Sequence, residues 1–498
     1  MMKTTILKLF LAGFLLTSFG CTADFEEINT NPNAGEKADD VYYLTKIIIS
    51  TAYDYQKEAY MGKPASAGRY TTRLRNAGDD TFGWSSESWD SHYYRLSENY
   101  TFHKQAMANE RDQYVATSLI LGVFNFAYVT NLWGDIPYSE ALKSKDELIV
   151  YPKYDKQEDI YPDLIAKLKE ANTLLKNSVL PINSSADVMY KGNALKWRKF
   201  ANSLRMRLLL LASKQMPNAI SEIQEILNNP SEYPIFESNA DNAEIPYVVS
   251  HKWPGGPTGG GGSLTDEFAE FIKRRPSKEI IDFMQSRNDP RLSLLFDPVA
   301  DPQSGLVDKN PYVGAPITLI SIYDYNGGGD HISTFKKSVF YQDVPSNVKA
   351  SMMIYPEVCF MIAEVMQQKG VTVSGKTARH FYEEGIKASL AYWGASPESA
   401  EAYIKQDGVI YDGSLKQLIG QKWASLFIKG AEGWFDYRRT NDVLGFNSGI
   451  IPEGAKQTTI PLRYIYPDGE RAQNKKQYDE AIKVFGPDDI NTKMWILK

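Results

Sequence analysis

Two apolar-periodic stretches, far apart in the chain, constrain its fold more than any other feature. Met353–Gln368 reads MIYPEVCFMIAEVMQQ. Its residues Ile354, Val358, Met361, Ile362 and Val365 recur at helical spacing, with Glu357 and Glu364 among them. Trp423–Thr440 reads WASLFIKGAEGWFDYRRT. Trp423, Leu426, Phe427, Ala431, Trp434 and Phe435 repeat every three or four positions, and the stretch runs into Arg438 and Arg439. Neither stretch holds a nucleophile–base pair or a metal-ligand spacing. Both read as packing helices of a helical scaffold.

Further helical patterns cover Val41–Tyr60, Trp89–Met107, Tyr114–Leu132, Asp159–Leu175, Asn193–Lys214 and Asn218–Leu227. After the midpoint come Leu264–Lys273, Lys278–Arg287, Lys376–Trp393, Pro397–Gln406 and Leu415–Arg439. Gly and Pro punctuate the segments between them: Met61–Ser88, Tyr233–Ser263 with its Gly259–Gly262 run, and Ile317–Asp343, whose alternation suggests short strands. With 498 residues and 43% hydrophobic content the chain can bury a large core. A net charge of −6 and the lack of a basic tract exclude a nucleic-acid partner.

The N-terminus reads as a targeting segment. Lys3 and Lys8 flank the start of an apolar run, Ile6 to Phe19, too short to cross a bilayer. Gly20 and Cys21 close it in the manner of a bacterial lipoprotein cleavage site. This gives a signal peptide over 1–20, lipidation at Cys21 and a polar tether over 21–40. The acidic cluster Asp24, Glu26 and Glu27 follows at once and resembles the surface-export signal of some bacterial lipoproteins. The only other cysteine, Cys359, sits in a helical pattern and reads as a buried thiol.

Several segments, in order, resemble one family. They are Asp24–Asn33 (DFEEINTNPN), Leu132–Ala141 (LWGDIPYSEA), Asp289–Leu292 (DPRL) and Tyr312–Pro316 (YVGAP). Tyr355–Val365 (YPEVCFMIAEV), Phe427–Thr440 (FIKGAEGWFDYRRT), Pro461–Glu470 (PLRYIYPDGE) and Asn474–Ala481 (NKKQYDEA) complete the set. Together they resemble the SusD/RagB family of outer-membrane nutrient-binding lipoproteins. The resemblance implies a mainly α fold: a tetratricopeptide-like scaffold of helix pairs, with long irregular loops and a few short strands or hairpins. It implies a single domain over 41–498, with helical scaffold at 41–230 and 346–440 and a loop-rich ligand-facing region at about 231–345. It implies a non-catalytic protein that captures an oligosaccharide and passes it to a SusC-like TonB-dependent outer-membrane transporter. A peptide ligand, a surface-anchored all-α glycoside hydrolase and an adhesive lipoprotein are the alternatives.

Catalytic and cofactor signatures do not emerge. The five histidines form no metal-ligand spacing, and the glycine run lacks the Lys-Ser/Thr of a phosphate loop. Asp324–Asp330 faintly resembles a calcium loop, but Phe335 stands where the closing Glu belongs. No cofactor or metal is expected. Binding residues are easier to argue. Sugar rings present C–H faces that stack on Trp or Tyr, and hydroxyls that need planar polar partners. Two punctuated regions offer both: Arg73, Asn76 and Trp84 in one, Trp253, Tyr323, Tyr325 and Asn326 in the other.

Overall fold

The helices follow the apolar period, and their ends follow local chemistry. The computed structural model describes residues 40–73, 79–249, 252–254, 273–302, 308–318, 322–342, 344–429, 431–450 and 455–498, with backbone alone for 40, 61 and 322–324. The signal segment, the tether, Cys21 and most of Leu264–Lys273 lie outside them. The helices of seven residues or more begin with α1 (Asp40–Met61), α2 (Asp90–Ala108), α3 (Asp112–Trp133) and α4 (Gln157–Asn177). Then come α5 (Ala194–Leu211), α6 (Ala219–Asn228), α7 (Lys278–Gln285), α8 (Tyr355–Lys369) and α9 (Ala378–Tyr392). The last are α10 (Pro397–Tyr403), α11 (Leu415–Ser425), α12 (Glu432–Arg439) and α13 (Lys475–Phe485). Asn193, Ser277, Thr377, Ser396 and Ser414 cap α5, α7, α9, α10 and α11, each accepting a backbone N–H from the first turn.

Successive helices pack on one another from α2 through α6, with α1 against α2 and α3. A second group forms where α8 packs on α9 and both meet α11, and α5 touches α8 to join the groups. This is the mainly α, helix-pair scaffold expected. Helix α3 is long and apolar enough to cross a membrane, but it is buried among its neighbours and forms the middle of the core. Strands are short and pair antiparallel in twos: β1 (Thr71–Arg73) with β5 (Arg274–Pro276), and β2 (Ile136–Pro137) with β3 (Tyr154–Asp155). Likewise β4 (Ala243–Pro246) pairs with β8 (Lys349–Met353), and β6 (Phe296–Asp297) with β7 (Thr334–Phe335).

Two expected helices are corrected. The one placed at Met353 starts at Tyr355, because Met353 ends β8 and Pro356 occupies the first turn, where its missing N–H has no helical partner to lose. The single helix expected over Leu415–Arg439 is two, α11 and α12. Between them Ile428 takes a left-handed φ of 53°. Its carbonyl turns out of the helical ladder to accept Gln56 Nε2 from α1.

The segments that carried the family resemblance turn out to be tied by buried charge. Arg207 of α5 donates from Nε and Nη2 to both oxygens of Glu357 in α8, at 2.7 and 2.6 Å. Glu364 of α8 receives Arg439 of α12, and Asp436 receives both Arg439 and Lys422 at 2.8 Å. Asp289 and Arg291 of the DPRL segment pair in full burial. Tyr403 of α10 donates to that Asp at 2.8 Å, and Arg291 reaches Ser389 of α9 at 3.0 Å. In YVGAP, a Cβ on Gly314 would lie 2.4 Å from the Ser277 carbonyl, so only glycine lets this segment run against the start of α7.

Candidate functional site

Helix α7 leaves one edge of its apolar stripe uncovered. Ile280, Ile281 and Met284 are buried, whereas Phe283 is half-buried and carries the Arg287 guanidinium 4.0 Å from its ring centroid. Phe283 meets Trp423 of α11 edge-on at 5.5 Å, and Trp423 meets Phe446 at 5.2 Å. These rings and the half-buried Tyr325 line a cleft of about 1000 Å³. Its other walls come from the turn at 444–450 and the residues leading into α11.

The cleft is polar as well as aromatic. Among the described residues its charged lining comprises Lys278, Arg287 and Lys416 against Glu279, Asp282 and Asp412, three cations and three anions. Lys278 pairs with Asp282 one turn on. Burial lowers the Lys278 ammonium, but the hydrogen bond to Asp282 and the nearby negative charges, that of Asp282 first, together outweigh it, so its pKa ends raised. Glu279 pairs with Arg69, and Asp412 accepts the backbone N–H of Ser414 at 2.7 Å. Burial raises the Tyr325 phenol, which therefore stays a neutral hydrogen-bonding group at physiological pH.

The sequence-predicted residues that are described do not converge on one face. Of the described ones, Tyr325 alone lines the cleft. Asn326 is buried behind it, with left-handed φ 53°, accepting the Asp308 N–H at 2.7 Å and donating to the Asp308 and His331 carbonyls. Arg73 ends β1, opposite Arg274, and its N–H is held by Asp80 at 2.7 Å. Asn76 and the side chain of Tyr323 lie outside the described residues.

Both tryptophans expected to stand open in loops are in the core. Trp84 packs edge-on against Trp434 and Tyr464, and Trp253 is fully buried against Tyr60, Tyr247 and Phe340. The physical reason is the indole N–H. It reaches the Asp79 carbonyl at 2.9 Å in one case and the Phe340 carbonyl at 3.0 Å in the other, so the whole ring can be buried without an unpaired donor.

Sequence reasoning missed Phe283 and Trp423 as lining residues because helical periodicity assigns such positions to the core, and missed Phe446 in the loop-rich segment after Gly445. The signal for Phe283 is angular. It falls at the margin of the stripe that Ile280, Ile281 and Met284 define.

With this geometry in view, a family model described as "Starch-binding associating with outer membrane" matches residues 32–467. The chain belongs to this SusD-like family. Its fold is shared with solved structures. A SusD homologue of Bacteroides fragilis superposes with TM-score 0.77 at 23% identity, covering 93% of this chain and 100% of its own. A chitin-binding SusD homologue of Flavobacterium johnsoniae gives 0.74 at 22%, covering 92% and 99%. A second Bacteroides fragilis SusD homologue gives 0.78 at 19%, covering 92% and 100%. No curated protein matches the chain.

Proposed function

We propose that this protein is a surface nutrient-binding lipoprotein that captures a neutral oligosaccharide in the α7–α11 cleft and delivers it to a SusC-like TonB-dependent transporter. The observation that carries the reading is the cleft itself. It combines the half-buried rings of Phe283 and Tyr325, beside Trp423, with polar groups whose charges balance among the described residues. Rings suit the C–H faces of sugars, paired charges suit hydroxyls, and a charge-neutral lining gives a polyanion no net attraction. Membership of a family described as starch-binding, and a chitin-binding structural neighbour, support a glycan over a peptide. The role is binding without turnover. A glycosidase needs a carboxylic acid poised to protonate the leaving oxygen, and here Glu279 and Asp282 are each engaged by a cation.

Calorimetric titration with maltohexaose and chitohexaose tests this. Phe283→Ala removes a stacking face worth about 1–2 kcal/mol, so affinity should fall about 10-fold while the melting temperature holds. Trp84→Ala is the control: it should lower the melting temperature and leave affinity unchanged. Affinity indifferent to Phe283, in a wild type that binds a hexaose, would move the site away from this cleft. Hydrolysis products in the cell would reassign the protein as an enzyme.

A further inference from the structure

Several polar side chains of the cleft wall are already engaged by protein. Lys278 pairs with Asp282, and Glu279 with Arg69. Gln417 accepts the Asp412 N–H at 2.9 Å and donates to the Ile410 carbonyl at 2.7 Å. Arg287 differs, because it is held in place with donors left over. Its Nη1 donates to the Phe283 carbonyl at 3.2 Å and to Ser286 Oγ at 3.0 Å. Nε and Nη2 have no partner among the described residues, and neither is a buried atom. Both reach solvent from a half-buried side chain in the cleft lining.

The hold on Arg287 comes from several sides. Its guanidinium lies 4.0 Å from the Phe283 ring centroid and covers one face of that ring. The carbonyl it caps belongs to the last turn of α7, where carbonyls lack helical N–H partners and a cation complements the helix dipole. The backbone beneath is fixed as well. The Arg287 N–H donates to the Met284 carbonyl at 3.3 Å, and the Asp289 N–H donates to the same carbonyl at 2.8 Å. Asn288 between them takes a left-handed φ of 47°, and Asp289 is the buried partner of Arg291. An arginine ordinarily gives up much rotamer freedom when it grips a ligand. Here that freedom is lost on folding, so less is lost on binding.

We propose that Arg287, positioned by Phe283, is the donor that selects the ligand, reading adjacent oxygens on a hydroxylated or N-acylated sugar and rejecting sugars with free amines. The inference rests on the oligosaccharide reading above. A guanidinium only donates, in a planar fork that suits two neighbouring acceptors. Hydroxyl and acyl oxygens can accept from it. A protonated amine offers donors alone and sets positive charge against positive charge. Phe283 then serves twice, as apolar surface for the sugar and as the seat of the arginine.

The test is titration of wild type, Phe283→Ala, Arg287→Gln, Arg287→Lys and the double variant Phe283→Ala/Arg287→Gln with maltohexaose and chitohexaose. Each sugar is paired with an amino form at a pH that protonates the amines: maltohexaose with its primary hydroxyls replaced by amines, and hexaglucosamine. Arg287→Gln should lose about 10-fold in affinity for the neutral hexaose that binds, and narrow its preference over the amino form by a similar factor. Arg287→Lys keeps the charge and loses the fork, so it should bind the neutral sugar as weakly as Arg287→Gln and still reject the amine. The double variant should lose less than the two single losses combined, because the ring acts partly through the arginine. If Phe283→Ala loses affinity while both single Arg287 variants bind and discriminate as wild type, this inference is overturned and the cleft stands. Losses that simply add in the double variant, or a wild type that binds an amino form as tightly as its neutral parent, overturn it too. If wild type binds neither neutral hexaose, or binds an amino form more tightly than its parent, both readings fall.

Discussion

At the scale of single residues, the most sensitive groups lie in the scaffold. Glu58 of α1 is raised to about 7, by burial first, against the Tyr128 hydrogen bond and the Arg95 charge. His92 of α2 stands 3.5 Å away and is held down to about 3, by burial and then by Arg95. Asp54, paired with Arg95, completes the cluster. Glu58 has a folded value above its unfolded one, so its stabilisation is full below about pH 4.5 and is lost as pH rises through 7. His92 has a folded value below its unfolded one, so its stabilisation is full above about pH 6.5 and is lost as pH falls toward 3. Between about pH 4.5 and 6.5 the two slopes oppose one another. Glu58→Gln removes one of them, and the melting temperature of the variant should climb with pH across that window where wild type stays nearly level. A variant as level as wild type would mean that the pair does not titrate with folding. The residue scale is also where sequence reading fell shortest. Trp84 and Trp253 sit among glycines and prolines, which report that a backbone turns but not which way a ring faces. The carbonyls that accept their indole N–H groups decided the matter, and Phe340 is 87 positions from Trp253.

At the scale of elements, helices were legible and their ties were not. Periodicity placed α1 to α10 to within a few residues and ran α11 and α12 into one, because a buried stripe repeats every three or four positions whatever it packs against. It could not say that Glu357 in α8 answers Arg207 in α5, or that Glu364 answers Arg439 in α12, since each pair joins helices far apart in sequence. These pairs carry a prediction. Arg207→Met strips the partner from a carboxylate that is 1% exposed, and should cost about 3–5 kcal/mol in chemical denaturation. The double variant Arg207→Met/Glu357→Met removes both charges of the pair and should regain part of that loss, since Glu432, 3.5 Å from Arg207, still loses its cation. A single variant within about 0.5 kcal/mol of wild type would show that Glu357 takes up a proton or water instead.

At the scale of the whole molecule, the family and helix-pair architecture were readable from ordered motifs scattered through the chain, while the cleft was not. Its walls come from α7, the turn at 444–450 and α11, brought together only by the fold. The proposed anchor makes the whole-molecule prediction. Cys21→Ala should abolish lipid labelling and move the protein from the membrane fraction to the soluble one. Retention through high salt and carbonate would refute lipidation there. In mild detergent, the native protein should bring down a TonB-dependent β-barrel in comparable amount. Finally, Trp423 is both a wall of the cleft and, through Tyr70 and the Gly68 carbonyl, a strut of the interior. Occupancy is therefore reported by global unfolding, and a plain heat-ramp screen can find the natural nutrient without a label or a guess. A compound at one hundred times its dissociation constant adds about 2.7 kcal/mol to the folded state, enough to stand out on a plate of candidate sugars.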